Sequence, residues 1–402
     1  MSRRTGIVGV VVGAVLLVAA LVWSMVAVPQ LVKFPLSTNV TLHYSGSLVT
    51  YVDAKTGAQL KTPLSVPLKV SRTIEALSSE STSSQAVVSE RIALGYGTTT
   101  VKEDNRYVID RRSMENVTSD KAYTFAPSNP GASAGSYYVT LPMNLSESTA
   151  MHIWKPESGT TYPLVADPHS GQPSSLDGLG VIWFMGTLPM TPVAPYEATA
   201  LAARGFPSSI SPTQVQAQLQ AAGVDIARLS LGLLRVLTPS QANQLIAAMT
   251  KPVKLNYFAF GSGLVAAQPR TGAIIALHGI TDGIAVSPDL SSLKIIATIL
   301  GQHTSVPGVS AALSALQHLA SAPPSPVYEL RYTQTPASVS DVVNKTRTQL
   351  DQISLVSDWI PLVAAILGAL LLIGGAVVMV RRRTPPPAVS GEERGSSETT
   401  AA

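Results

Sequence analysis

The chain has 402 residues, no Cys, 13% charged residues, 46% apolar residues and a net charge of +4. Without Cys there is no disulfide framework, no thiolate-held metal or iron–sulfur cluster and no thiol nucleophile. The low charge and a mean hydropathy of +0.26 exclude a disordered chain and argue against an ordinary cytosolic protein.

Residues 1–6 carry Arg3 and Arg4 and read as a cytoplasmic N-terminus. Residues 7–28 hold no charge, and at about 1.5 Å per residue they are long enough for a hydrocarbon core of about 30 Å. The stretch exceeds the apolar region of a signal peptide, and Met25 stands where a cleavage site wants a small residue, so an uncleaved anchor is expected. Residues 360–380 form a second charge-free span, closed by Arg381-Arg382-Arg383. Arginine on the terminal side of both spans predicts that both ends face the cytoplasm and that residues 29–359 lie outside. Trp23 and Trp359 fall near the outer ends of the spans, where an aromatic belt is expected. The two tails hold six Lys/Arg and three Asp/Glu, which leaves 22 positive against 21 negative residues between them. The basic character therefore belongs to the anchors, and nucleic acid is not an expected partner.

Within 29–359 the pattern alternates between strands and helices. Segments 40–44 and 48–52 are β-branched and aromatic, with Ser45-Gly46-Ser47 as punctuation and a turn signal over 53–57. Residues 86–94, 107–109, 180–185, 254–260, 272–277 and 327–332 predict further strands; 78–84 and 127–136 are loops. Ser211-Pro212 and Thr238-Pro239 each look like an N-cap followed by Pro at the first helical position. Val215, Leu219, Ala222, Ile226, Leu229 and Leu233 form an apolar stripe, which Gly223 and Asp225 split into two helices by C-cap and N-cap. A second pair is expected over about 290–301 and 308–321, with Leu293, Ile296 and Leu300 along one face of the first helix and Val309, Leu313, Leu316 and Leu319/Ala320 along the second. Residues 338–356 read as a helix leading into the second span, and 381–402 as a Pro/Ser/Thr/Glu-rich disordered cytoplasmic tail.

The expected fold is α+β: two terminal transmembrane helices flank a large antiparallel-β-rich extracytoplasmic domain of two lobes, with helical insertions at about 205–250 and 289–321.

The motifs of common chemistry are missing. The six His show no HExxH spacing, Pro168-His169-Ser170-Gly171-Gln172 lacks both glycines of a nucleophile elbow, and no phosphate-binding glycine motif is present. His278-Gly279 with Asp282 faintly resembles a hydrolase loop, but a solvated turn after a strand is the favoured reading. Asp110-Arg111-Arg112 reads as a surface turn held by an ion pair. No catalytic residue, cofactor or metal site is expected. The helical stripes leave two readings: cover for a sheet, or the wall of a groove for acyl chains. In the second, Leu229, Leu233, Leu293, Ile296, Leu313 and Leu316 line the groove.

Several segments in order carry a resemblance: 51–57; Arg106 to Arg112; Tyr137-Tyr138-Val139-Thr140-Leu141-Pro142 leading to Trp154-Lys155-Pro156; Gly178 to Phe184; Gln268-Pro269-Arg270-Thr271-Gly272; and Tyr328 to Tyr332, followed by a helix, a span and three arginines. On these the chain resembles the actinobacterial membrane-protein family of unknown function labelled porin PorA. Its two-anchor plan is similar to that of CD36-type proteins. The resemblance implies an envelope protein that binds or relays a lipid or lipoglycan without a covalent step. The rival is a scaffold or accessory subunit for envelope-biogenesis enzymes or transporters. Expected partners are the bilayer, an envelope lipid or lipoglycan, and other membrane proteins.

Overall fold

A computed structural model describes residues 3–53, 58–221, 223–289 and 291–381. In chain order the elements begin with α1 (Arg3–Val22), a π turn (Trp23–Ala27) and α2 (Val28–Leu31). Four long strands follow: β1 (Asn39–Val52), β2 (Gln59–Ala76), β3 (Gln85–Tyr96) and β4 (Thr99–Asp110). After an irregular stretch come β5 (Met151–Lys155), β6 (Thr160–Ala166), the short β7 (Ser175–Leu176) and β8 (Leu179–Gly180), and β9 (Ile182–Pro192). Next are α3 (Pro195–Ala203), β10 (Ser209–Ile210), α4 (Pro212–Ala221), α5 (Ile226–Leu233) and α6 (Pro239–Thr250). The last part holds β11 (Val253–Ala267), β12 (Ile274–Pro288), α7 (Ser291–Gly301), α8 (Val309–Ser321), β13 (Ser325–Gln334) and α9 (Pro336–Ser354). A π turn (Leu355–Trp359) then leads to α10 (Ile360–Arg381). Helices and antiparallel strands are mixed as an α+β fold.

The chain divides into two compact units, Phe34–Thr348 and Met1–Lys33 with Gln349–Ala402. In the terminal unit, α1 and α10 pack together. Gly13 and Gly368 allow this: a Cβ on Gly13 would stand 2.5 Å from the Gly368 carbonyl oxygen, and one on Gly368 would stand 2.9 Å from that of Gly13. Trp23 donates its indole N–H to the Val356 carbonyl at 2.9 Å. Both helices pass the length and hydropathy demanded of a membrane span, with windows of mean hydropathy 2.7.

The larger unit is built on one antiparallel sheet ordered β4-β3-β2-β1-β13-β12-β11-β9-β6-β5, with β10 beside β11. Strict alternation places Leu68, Val70, Ile74 and Ala76 inside on β2, with Lys69 exposed between them. On the outer face Thr41, His43, Arg91, Lys102 and Asp104 are exposed as well. The pattern is that of strands with one face on a core and the other in water. The sheet curls: Ile92 of β3 and Glu103 of β4 line the same cavity as Trp154 and Lys155 of β5, at the far edge. The irregular stretch protects both edges, bridging Arg106 of β4 to Tyr123 and Ile153 of β5 to Tyr137.

Two expectations change. Ser45-Gly46-Ser47 is not a break: β1 runs through it. Gly46 is needed because a Cβ there would stand 1.8 Å from the Arg331 carbonyl oxygen on neighbouring β13. The turn at Asp110-Arg111-Arg112 is held by backbone hydrogen bonds. Asp110 accepts the amides of Arg112 and Ser113 at 2.8 and 2.9 Å, and Arg111 donates to the carbonyls of Phe34, Thr82 and Ser83. The turn signal at 53–57 falls, over 54–57, outside the described residues.

The expected helix split occurs. Gly223 takes a left-handed φ of 84°, and the Asp225 carboxylate accepts the Arg228 amide at 3.0 Å to cap α5. Thr238 and Gln241 form a full capping box on α6.

Candidate functional site

Two cavities stand out in the larger unit, one among the helices and one inside the sheet. The helical cavity, about 220 Å³, opens among α4 to α8 and is almost wholly apolar. Leu219, Leu229, Leu233, Leu245, Ile296 and Leu316 contribute to its wall. The wall is continuous with the helical core: Leu233, Leu300, Ala312 and Leu316 belong to both, and Val309 lies in the core without reaching the cavity. Four of the six residues expected to line a groove, Leu229, Leu233, Ile296 and Leu316, therefore meet at one cavity. Leu313 packs against the helical core without reaching the wall. Leu293 sits on α7, and its side chain lies outside the described residues. Core and groove prove not to be exclusive: Leu233 and Leu316 are each 4% exposed and also line the cavity. Leu234 and Ile246, at 74% and 60% exposure, belong to the same wall and mark its open side.

The second cavity, about 200 Å³, lies on the concave face of the sheet, where charged and aromatic side chains stand among aliphatic ones such as Val70, Ile92, Leu188 and Leu330. Lys155 Nζ stands 2.5 and 2.6 Å from the two Asp282 oxygens and 3.0 Å from Glu157. Burial works to lower the Lys155 pKa, but Asp282 and Glu157 outweigh it and hold the ammonium well above the usual lysine range. Burial pushes Asp282 up, with Lys155 pulling against it. Arg72 pairs with the fully buried Glu90, which also accepts from Asn105 at 2.8 Å and from the Tyr107 hydroxyl at 3.2 Å. The Arg72 guanidinium lies 4.9 Å over the Tyr138 ring, itself stacked on Tyr107. At the α3 side, Arg204 reaches Glu197 at 3.5 Å and Glu103 at 3.8 Å. Burial, reinforced by Glu157, raises the Glu103 pKa to about 8 against the pull of Arg204. Burial raises that of Glu197 to about 7.

This cavity is not expected from the sequence, though a signal is present. Arg72 occupies the inward phase of the β2 alternation and Glu90 that of β3. A charge on the apolar phase of a strand is buried and must find a partner. The reading of His278-Gly279 with Asp282 as a solvated turn is corrected: all three lie within β12, and Asp282 is the partner of Lys155. Gly279 has a φ of 58° where the pairing with β11 shifts register. His278 lines a different cavity from Asp282 and sets its ring edge-on to Trp183, so no His–Asp pair forms. His169 and Ser170 sit in a turn where Asp167 accepts the His169 amide. Among the described residues no cluster of three or more His, Cys, Asp or Glu is arranged to hold a metal.

No curated protein matches the chain. A family model described as Porin PorA matches residues 5–377, from the first span through most of the second. With nearly the whole length covered, and two apolar helices at the ends of the match, the chain is a member of the Porin PorA family.

Proposed function

We propose that this is a two-span membrane protein that binds or relays a lipid or lipoglycan through the helical cavity, with no covalent step. The observation that carries the reading is the cavity itself: an apolar space of about 220 Å³, open at Leu234 and Ile246. A dry apolar cavity of about 150 Å³ is already enough to take up a benzene ring, and an acyl chain entering one gains about 0.8 kcal/mol per CH₂ buried. The topology belongs to the same reading. Arg3 and Arg4 before the first span, and the three arginines after the second, favour both termini in the cytoplasm and Phe34–Thr348 outside. A cytoplasmic reporter after Ala402 should be active, and a tag inserted at 78–84 should be reachable from outside; a tag protected there sinks the topology.

The lipid reading is tested by purifying the full chain in mild detergent and identifying retained lipids by mass spectrometry. Leu229→Trp should fill the cavity and cut retained lipid several-fold while the protein still melts cooperatively. An unchanged lipid complement in folded Leu229→Trp protein would count against the cavity. A scaffold role has one observation in its favour: Val165 and Met185, cross-strand partners on β6 and β9, are both exposed, and a protein partner could cover them.

A further inference from the structure

The cavity inside the sheet poses a question that its ion pairs do not answer. Among the described residues five buried polar atoms on its wall have no hydrogen-bond partner: Arg72 Nη2, the Tyr44 hydroxyl, Trp154 Nε1, Glu157 Oε2 and Glu197 Oε2. Glu157 Oε2 is ion-paired with Lys155 at 3.0 Å, which leaves four to account for. Leaving such an atom unsatisfied costs about 1–3 kcal/mol each, and native folds hold few of them. They come from the neighbouring strands β1 and β2, from β5 and from α3, three segments remote from one another in the chain, yet they converge on one space. We propose that this cavity binds a neutral, polyhydroxylated ligand of about the size of one sugar ring.

Three features select that class. The first is the mixture of unmet groups. Arg72 and Trp154 can only donate, the Tyr44 hydroxyl does both, and Glu197, with its pKa raised to about 7, accepts when ionised and can donate when protonated. A hydroxyl also donates and accepts, so a ring carrying several can answer all four. The second is charge. The wall holds Arg72, Lys155 and Arg204 against Glu103, Glu157, Glu197 and Asp282. With Glu103 raised to about 8 and Glu197 to about 7, the carboxylates that stay ionised at neutral pH are Glu157, Asp282 and part of Glu197, close to balance with the three positive groups, so a neutral ligand meets no net opposition. The third is shape. Tyr162, Tyr332 and Trp154 give the wall aromatic surfaces on which the C–H faces of a sugar ring can pack. About 200 Å³ would hold roughly seven waters at their liquid volume, enough for one ring and too little for a chain of them.

This site does not depend on the lipid reading, because the two cavities share no wall residue. The experiment uses the full chain in detergent or nanodiscs. Saturation-transfer NMR and calorimetry would follow D-glucose, D-mannose and D-galactose, with glucuronate and glucosamine as charged counterparts. At least one neutral hexose should bind saturably, and more tightly than either charged sugar. Tyr44→Phe deletes one unmet polar atom with little change of shape, and Trp154→Phe deletes another together with one ring of the indole. Each should weaken the hexose by at least about 3-fold, the range of one lost hydrogen bond, and Tyr44→Phe should do so without lowering the melting temperature. Leu229→Trp should leave hexose binding unchanged. The proposal is overturned if no neutral hexose binds saturably, if a charged sugar binds more tightly, or if both Phe variants bind the hexose as the parent does. Should a Phe variant fail to fold, the comparison of neutral with charged sugars on the parent protein decides alone.

Discussion

Lys155 is the residue on which the sheet interior is most exposed to damage. Its ammonium sits between Asp282 and Glu157 with 11% of the side chain exposed, so removing it leaves two half-buried carboxylates without a counter-charge. Lys155→Met should cost about 3–5 kcal/mol, as for other broken buried pairs. Lys155→Met with Asp282→Leu should recover part of that loss, because the second change removes one stranded charge. Thermal unfolding of the single and double variants checks this; a double variant no more stable than the single would mean the pair is not the source. Glu103 gives a pH prediction of definite sign. Burial raises its pKa from 4.5 to about 8, with Glu157, Glu197 and Glu90 adding to the rise and Arg204 opposing it. A folded-state pKa above the unfolded one means that the native state binds more protons between the two, so stability falls as pH rises from about 4.5 to 8. Glu197, raised to about 7, pushes the same way. Glu103→Gln should therefore flatten the decline and gain at least about 1 kcal/mol near pH 8, with little change at pH 4.5. Melting curves across that range read the difference.

At the scale of elements, local signals are strong where the partner is close in sequence. The Asp225 cap, the left-handed Gly223 and the Thr238–Gln241 capping box follow from residues within a few positions of each helix start or end. Asp225→Ala should cost about 1 kcal/mol by the usual measure of a lost N-cap, and circular dichroism on thermal melting would show it as a small shift. Signals fail where the reason is a distant strand. Ser45-Gly46-Ser47 reads as punctuation because glycine and serine favour turns. Here the missing Cβ serves the close approach of β13, almost 300 positions later. Gly46→Ala should separate β1 from β13 locally and destabilise by more than a surface change would, about 2 kcal/mol or above; a melting temperature equal to the parent's would refute the close-approach account.

At the scale of the molecule, the family carries the word porin, yet β1 to β4 do not show a lipid-facing pattern. A transmembrane barrel turns an apolar band outward; on β1 to β4 the exposed face carries Thr41, His43, Lys69, Arg91, Lys102 and Asp104. The surfaces fit for hydrocarbon are those of α1 and α10, where Val11, Val15, Val18, Leu367 and Leu370 are exposed. Their packing depends on small residues, as expected where lipid tails remove the hydrophobic drive between helices. Gly13→Leu or Gly368→Leu should force α1 and α10 apart and lower cross-linking between engineered cysteine pairs on the two helices several-fold. The chain has no cysteine of its own to confuse the readout. Undiminished cross-linking in both variants would show that the glycine contact does not set the packing.

The sequence by itself determined the α+β class, the two apolar helices, the helix pairs with their caps, and most strands, because periodicity and capping act over a few residues. It also brought Leu229, Leu233, Ile296 and Leu316 forward as one set, since each belongs to an apolar stripe of its own helix. Only the tertiary structure decided that these stripes enclose a cavity and a core at once, because that depends on how four or more helices meet. Only it could join Lys155 to Asp282 across 127 positions and gather Tyr44, Arg72, Trp154 and Glu197 into one space. A charge on the inward phase of a strand announces that it will be buried. Which group answers it is set by sheet order and curl, and these arise from pairings between strands remote in the chain.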